Sequence, residues 1–397
     1  MSAFENDEQH AHLVESARRY VERGYGASVR QSSLAHPDGC NPARWTELAE
    51  LGWLALPLSE AGGGLGGSLF EVCLIAEELG RGLVIEPYVA CATAGALLAD
   101  AAAPWPADAA AEGQCAQWLP ALAAGARRIA LAAWEPGARF DRQPCATVAT
   151  RTDGGYRLRG RKSMVLGAPG ANAFIIVARV DEPGSTGFVR VPFLVEANAP
   201  GLKLTPYALY DGRHAADLEL DDVSVGAGMR IGAADISARI ERFCEWSTIA
   251  HCAETVGTMA ASFGITLEYL KTRKQFGRTL ASNQALQHRL VDMYVAIEES
   301  RAITQAAAQA DTVRGVGPAF GRSAAAAKAY VSQAARMVWK ECVQLHGAIG
   351  MTDEYVLGHH IRRLAAAVTL YGDDELHLVR LASYEDALAM APTERSF

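Results

Sequence analysis

Hydrophobic residues recur at three- and four-residue spacing over 12–25 and 42–51, which predicts amphipathic helices near the N-terminus. Ser68 stands at an N-cap position ahead of an apolar stripe over 69–79 that stops at Gly80. A more apolar helix is predicted over 86–98. The alanine-rich stretch 99–125 is broken by Pro104, Pro106 and Pro120, and predicts loop with short helix. From Arg128 the pattern changes. ATVATRTDGGYRLRGRKSMVL sets two β-rich runs on either side of an Asp-Gly-Gly turn, a local hairpin signal. AFIIVARV, GFVRVPFLVE, LKLTPYAL and AADLELDDVSV add strands separated by Gly and Pro, so an antiparallel sheet of about 100 residues is expected. Long helical patterns return over 236–274, 283–313, 317–347 and in a last segment to 391. The expected fold is α+β multidomain: an N-terminal helical domain (1–127), a central antiparallel β domain (128–235) and a C-terminal four-helix bundle (236–397).

A length of 397 residues, 50% of them hydrophobic and 21% charged, suits two or three domains with a large core. The formal charge of −8 and the absence of a basic run argue against nucleic-acid or anionic-membrane partners. Eight cysteines are scattered without a CxxC pair, as reduced core thiols would be. The N-terminal MSAFENDEQHAH is polar and acidic, unlike a signal peptide, and no apolar run approaches the ~20 residues that span a bilayer. A soluble, cytoplasmic protein is expected. His359, His360 and His377 lack metal-ligand spacing, so no metal is expected and they read as exposed helix residues. GGGLGG (62–67) satisfies GxGxxG formally. No βαβ alternation surrounds it, so it reads as a glycine turn.

Five longer words carry chemistry: LAAWEPGARFD (131–141), GRKSMVLGAPGANAFIIVAR (160–179), ALYDGRHAADLELDDVSV (208–225), RKQFGRTLASNQALQHRLVDM (273–293) and QLHGAIGMTDEY (344–355). In this order they resemble the acyl-CoA dehydrogenase family over nearly the whole chain. The resemblance implies FAD, α,β-dehydrogenation of an acyl-CoA thioester, an electron-transfer flavoprotein as acceptor, and a homo-oligomer or a heterotetramer with a related subunit. It also implies that Arg273, Phe276 and Gln284 present a guanidinium, an aromatic face and an amide to the FAD of a neighbouring subunit. Gln344 and Gly347 belong to the same cradle, the glycine allowing close backbone approach. The flavin-facing half departs from the family. Trp134 replaces a hydroxyl-bearing residue, Met164, Val165 and Leu166 replace a Trp-Ile-Thr wall, and Arg139 and Phe140 replace a Gly-Ser pair.

Dehydrogenation needs a carboxylate at the α-carbon on the face opposite the flavin. Relatives carry it in a Tyr-Glu-Gly-Thr word. Here Tyr371 takes the Glu slot, Gly372 the Gly slot and Asp373 the Thr slot, and a one-residue shift brings Gly372 into the Glu slot. A minority of relatives use the first long helix of the C-terminal block, where the slot holds Ser247. Glu245 lies about 200° around that helix, and Glu254 about 10 Å along the Ser247 stripe. Asp373 and Asp374 remain as shorter candidates for the base, or as ribose contacts. YGDDELH and EPY resemble the small, base-lacking subunits of two-subunit bacterial enzymes such as pimeloyl-CoA or steroid side-chain dehydrogenases. The expected function is therefore a dehydrogenase subunit whose partner supplies the base. A homotetramer using Asp373 or Asp374, or a non-catalytic acyl-CoA-binding paralogue, are the alternatives.

Overall fold

The computed structural model describes residues 3–101, 113–141, 145–181, 188–232, 236–314, 317–352 and 354–390. They belong to two compact units, residues 1–75 with 84–247 and residues 76–83 with 248–397.

The first unit opens with helices α1 (Ala3–Arg19), α2 (Ala27–Ala35), α3 (Pro42–Glu50), α4 (Leu69–Arg81), α5 (Tyr88–Ala101), α6 (Gly113–Ala116) and α7 (Leu119–Ala123). The helix expected over 12–25 instead ends in a π turn at Tyr20–Gly24, and α2 follows. Only Ser33 of α2 is buried, so its apolar periodicity was too faint to read. Its hydroxyl donates to the buried Glu86 (2.7 Å), as does that of Tyr25 (2.6 Å). The start of α4 is a capping box: the Ser68 hydroxyl accepts from the Phe70 N–H (3.2 Å), and Glu71 accepts from the Ser68 N–H (2.9 Å).

Seven strands follow: β1 (Ile129–Ala132), β2 (Val148–Thr152), β3 (Gly155–Leu166), β4 (Ala173–Asp181), β5 (Phe188–Glu196), β6 (Leu202–Ala208) and β7 (His214–Gly226). They form one sheet of order β1-β4-β2-β3-β7-β6, with β5 on β4. The β2–β3 hairpin turns on Asp153 and Gly154, since Thr152 pairs with Gly155. The sheet is antiparallel at most of its pairs, with one correction to the expected order: β1 runs parallel to β4, and β2 meets β4 in parallel at Val148. Such long-range pairing leaves no mark in local alternation. Phe174, Ile176, Phe193, Val195, Leu218 and Val223 fill the sheet's core. Each such side chain contributes about 1.5–3 kcal/mol on burial. The β3–β7 register shifts between Lys162 and Val165, placing Met164 in a bulge at φ 54°.

The second unit is helical. From Thr248 onward, α8 (Ser237–Thr272) belongs to it and leads through a small hairpin of β8 (Lys274–Gln275) and β9 (Arg278–Thr279) to α9 (Gln284–Arg314), α10 (Pro318–His346), α11 (Val356–Ala367) and α12 (Asp374–Met390). Residues 243–259 of α8 are buried without a break, so that helix has no polar face there. Val256, Met259, Met293, Ile297, Val338 and Leu364 are part of this unit's core. The final helical segment expected from the sequence is two helices. Tyr371 and Gly372, at φ 61° and 98°, reverse the chain between them. Among the described residues, no helix is long and apolar enough to cross a membrane.

Candidate functional site

The turn between α11 and α12 holds the position where a base is expected, and dense polar packing surrounds it. Tyr371 is buried in left-handed backbone, its ring centroid 5.3 Å from that of His251 on α8. Its carbonyl accepts from His377 Nε2 (2.9 Å). His251 places Nε2 3.2 Å from the Ala367 carbonyl and Nδ1 3.2 Å from the Glu254 carboxylate. Both partners are acceptors, an arrangement that a doubly protonated imidazolium fills. Glu254 also accepts from Arg363 Nη1 (3.0 Å). The Ala367 carbonyl takes a second bond, from Lys328 Nζ (2.7 Å), which also donates to the Ser332 hydroxyl (3.0 Å). Burial pushes the Lys328 amine down to about 8. A side chain at Gly372 would come within 2.7 Å of Leu376 and 3.0 Å of His377.

The carboxylates in this turn are committed. The Asp373 Oδ1 accepts from the Leu376 N–H (2.9 Å) and so caps α12. Asp374 is held bidentately by Arg336 (2.8 and 3.2 Å), and that guanidinium keeps its carboxyl below the usual range. Ser247, in the other unit, is buried with its hydroxyl bonded to the Thr93 hydroxyl (2.9 Å) and the Phe243 carbonyl (3.2 Å). The expectation that the three histidines are exposed is corrected: His360 and His377 are buried, and His377 fixes the Tyr371 turn. Glu254, Arg363, His251 and Lys328 were not recognised as a group. Their separation in sequence hides it, Glu254 and Arg363 standing 109 positions apart.

In the first unit, the loop after β1 carries Trp134, whose ring meets Phe140 edge-on at 5.5 Å. Arg139 and Phe140 both lie in left-handed backbone. The neighbouring Glu135 is buried and accepts from Lys162 Nζ (2.7 Å), the Thr147 hydroxyl (2.6 Å) and the Ala146 N–H (2.7 Å). Burial opposes its charge, but Lys162 and these donors outweigh that and hold the carboxyl below the usual range. The Met164 N–H donates to the Tyr207 oxygen and to Asp217, both at 3.1 Å, while the Tyr207 hydroxyl donates to Asp217 (2.8 Å). Leu166 is paired with Ala215 in the β3–β7 ladder. A flavin ring would therefore find no hydroxyl at positions 134 or 166, and a backbone N–H at 164 already bonded to protein. This half fits the cofactor poorly.

The half carried by the second unit fits. In the β8–β9 hairpin, Phe276 and Gly277 both have positive φ (53° and 79°), the two-residue turn that matches strand twist. It projects Phe276 with 99% of its surface exposed, beside the exposed Arg273. Gln284 begins α9, exposed, and Gln344 and Gly347 lie exposed at the end of α10. Gly347 has φ 69° with open space where a side chain would stand, so its backbone is approachable by a bulky anion. The donor set matches a pyrophosphate and a planar base. Val291, Tyr294 and Val295 form an exposed apolar stripe along α9 from the same end. Their i, i+3 and i+4 spacing puts the three on one face of the helix.

Three family models match successive parts of the chain: Acyl-CoA dehydrogenase, N-terminal domain (residues 7–126), middle domain (130–223) and C-terminal domain (238–384). Acyl-CoA dehydrogenase FadE12 of Mycobacterium tuberculosis is 30% identical over 320 residues, covering 78% of this chain and 79% of the relative. The short-chain specific acyl-CoA dehydrogenase of Megasphaera elsdenii is 29% identical, covering 68% and 70%. Among solved structures, a variant of the Tcur3481-Tcur3483 steroid ACAD superposes with a TM-score of 0.85 at 26% identity, covering 96% of this chain and 99% of that one. The ChsE4-ChsE5 complex from Mycobacterium tuberculosis gives 0.83 at 24% identity, covering 97% and 98%, a likeness of fold.

Proposed function

The chain belongs to the acyl-CoA dehydrogenase family, and from that premise we propose that it is the base-lacking subunit of a two-subunit enzyme. It is an FAD-dependent oxidoreductase acting on CH–CH groups. When bound, FAD accepts the hydride from the β-carbon of the acyl thioester, and an electron-transfer flavoprotein is the proposed acceptor beyond it. In this reading Arg273, Phe276, Gln284, Gln344 and Gly347 complete the FAD site of a related partner, and the partner supplies the carboxylate base. Steroid or other unusual acyl-CoA substrates are part of the proposal, suggested by the steroid enzyme among the similar structures.

The observation that carries the reading is the turn at 371–374. Tyr371 occupies the base slot, packed on His251, while Asp373 caps a helix and Asp374 sits in an Arg336 fork. A carboxylate locked by arginine is a poor proton acceptor and is not free to reach a substrate. The same commitments weigh against a self-sufficient homotetramer using Asp373 or Asp374. The decisive measurement is FAD per chain, for the purified protein alone and co-expressed with a related chain that carries the glutamate. Little or no FAD alone, and one FAD per pair with turnover in the complex, is expected. One tightly held FAD per chain in a homo-oligomer with full acyl-CoA turnover would end the proposal.

A further inference from the structure

The turn that carries Gly347 rests on a histidine no assigned role explains. His346, the last residue of α10, is buried with its ring stacked on Tyr269 of α8 at 4.3 Å and 22°. The Tyr355 ring lies 5.4 Å from it, tilted at 51°. His346 Nδ1 is 2.9 Å from the Cys342 carbonyl, which only accepts, so Nδ1 carries the proton. Nε2 then presents a lone pair, and the Tyr355 hydroxyl faces it at 3.5 Å. The Tyr269 hydroxyl lies 3.5 Å from the His346 carbonyl, at the start of the one-turn 3-10 segment Gly347–Met351. Among the described residues, the groups that contact the ring include two tyrosines and the Cys342 carbonyl one helical turn back. Burial pushes the imidazole below its ordinary range, and the Cys342 carbonyl opposes this only in part.

We propose that His346 is a positioning residue: as a neutral ring stacked on Tyr269 and facing the Tyr355 hydroxyl, it fixes the Gly347–Met351 turn, and with it the Gln344 and Gly347 contacts offered to a partner's FAD. This rests on the reading of those residues as a cofactor cradle. Protonating Nε2 places a charge in a buried aromatic stack, so the clamp opens on the acid side.

Two variants separate the clamp from simple packing. His346→Phe keeps a flat ring beside the tyrosines but cannot be protonated, whereas His346→Ala removes the ring. In the complex with the partner, His346→Ala should weaken FAD retention about threefold to tenfold, the range expected for losing an aromatic pair. His346→Phe should stay within about twofold of wild type near pH 7.5 and lose the wild type's acid-side decline near pH 5.5. Equal losses for Phe and Ala, or no loss for Ala, overturn the proposal. The second readout needs no cofactor: amide exchange of 347–351 in the chain alone, corrected for intrinsic rates. Faster exchange in His346→Ala, and in wild type at low pH but not in His346→Phe, supports the clamp; unchanged exchange refutes it. If wild-type complexes hold no FAD, the cradle reading fails, and the exchange result still decides the clamp.

Discussion

Replacing Glu254 with glutamine tests whether the buried polar group beneath the Tyr371 turn is an ion network or ordinary core filling. Arg363 and Glu254 have side chains only 2% and 10% exposed, so water screens the pair little. The amide keeps the shape and one acceptor for Arg363 but removes the charge facing both Arg363 and His251. Breaking a buried pair from one side costs about 3–5 kcal/mol, because the remaining charge is left uncompensated. The surviving acceptor argues for the lower end, about 3 kcal/mol, or a melting shift of about 6–12 °C at the 2–4 °C per kcal/mol of larger domains. Replacing both residues by leucine removes both desolvation penalties and should leave the protein much nearer wild type than either single change. Near-UV circular dichroism melts of wild type, Glu254→Leu, Arg363→Leu and the double leucine variant form a double-mutant cycle, with Glu254→Gln measured beside it. Because two units share the chain, the transition must first be shown to be single. A coupling below about 0.5 kcal/mol, within the additivity seen for independent sites, would refute the network.

Other outcomes follow from the same geometry. Arg273→Ala and Phe276→Ala should each leave the chain's own melting temperature unchanged, since both side chains are exposed, yet lower FAD retention in the partnered complex; an intact FAD content would remove them from the cradle. Asp373→Asn and Asp374→Asn should change acyl-CoA turnover of the complex less than about twofold, whereas loss of a true base costs about 10²–10⁴. Lys328 has a folded-state pKa near 8, below its value of 10.5 when free, so the folded chain binds fewer protons between these limits. Stability from this group therefore rises with pH across that window, and Lys328→Met should flatten the slope of melting temperature against pH from about 8 to 10. An unchanged slope would show that the amine remains protonated throughout.

The sequence made the long helices legible because their length, glycines and caps are local. Residues 283–313 and 317–347 were expected, and α9 and α10 run Gln284–Arg314 and Pro318–His346. The Ser68 cap was equally local, needing only Glu71 three residues on. What stayed hidden depends on distant residues. The parallel pairing of β1 with β4 joins Ile129 to Ala173, and no alternation within either strand encodes direction. Burial of ionisable residues is hidden for the same reason: a lysine in a strand shows nothing of its partner, and Lys162 finds Glu135 27 positions away. His360 and His377 read as polar helix positions, though the fold buries both. In the candidate site, the lack of a glutamate at 371 or 372 was visible in the sequence. The network packed against that position was not.

The contrast between the two halves of the proposed site has a physical basis in exposure. Arg273, Phe276, Gln284, Gln344 and Gly347 stand exposed at helix ends and a hairpin tip, where each contact with a ligand or partner is set by local geometry. The Tyr371 turn is the opposite case. His377 holds its carbonyl, Lys328 and His251 converge on Ala367, and Glu254 joins His251 to Arg363. A glutamate introduced at 371 would enter left-handed backbone beside a ring already hydrogen-bonded to a carboxylate, adding a second negative charge near Glu254. One substitution therefore does not rebuild a base there. In the proposed reading, the exposed half is what a partner would use, and the packing around the buried turn is the reason the base is assigned to that partner.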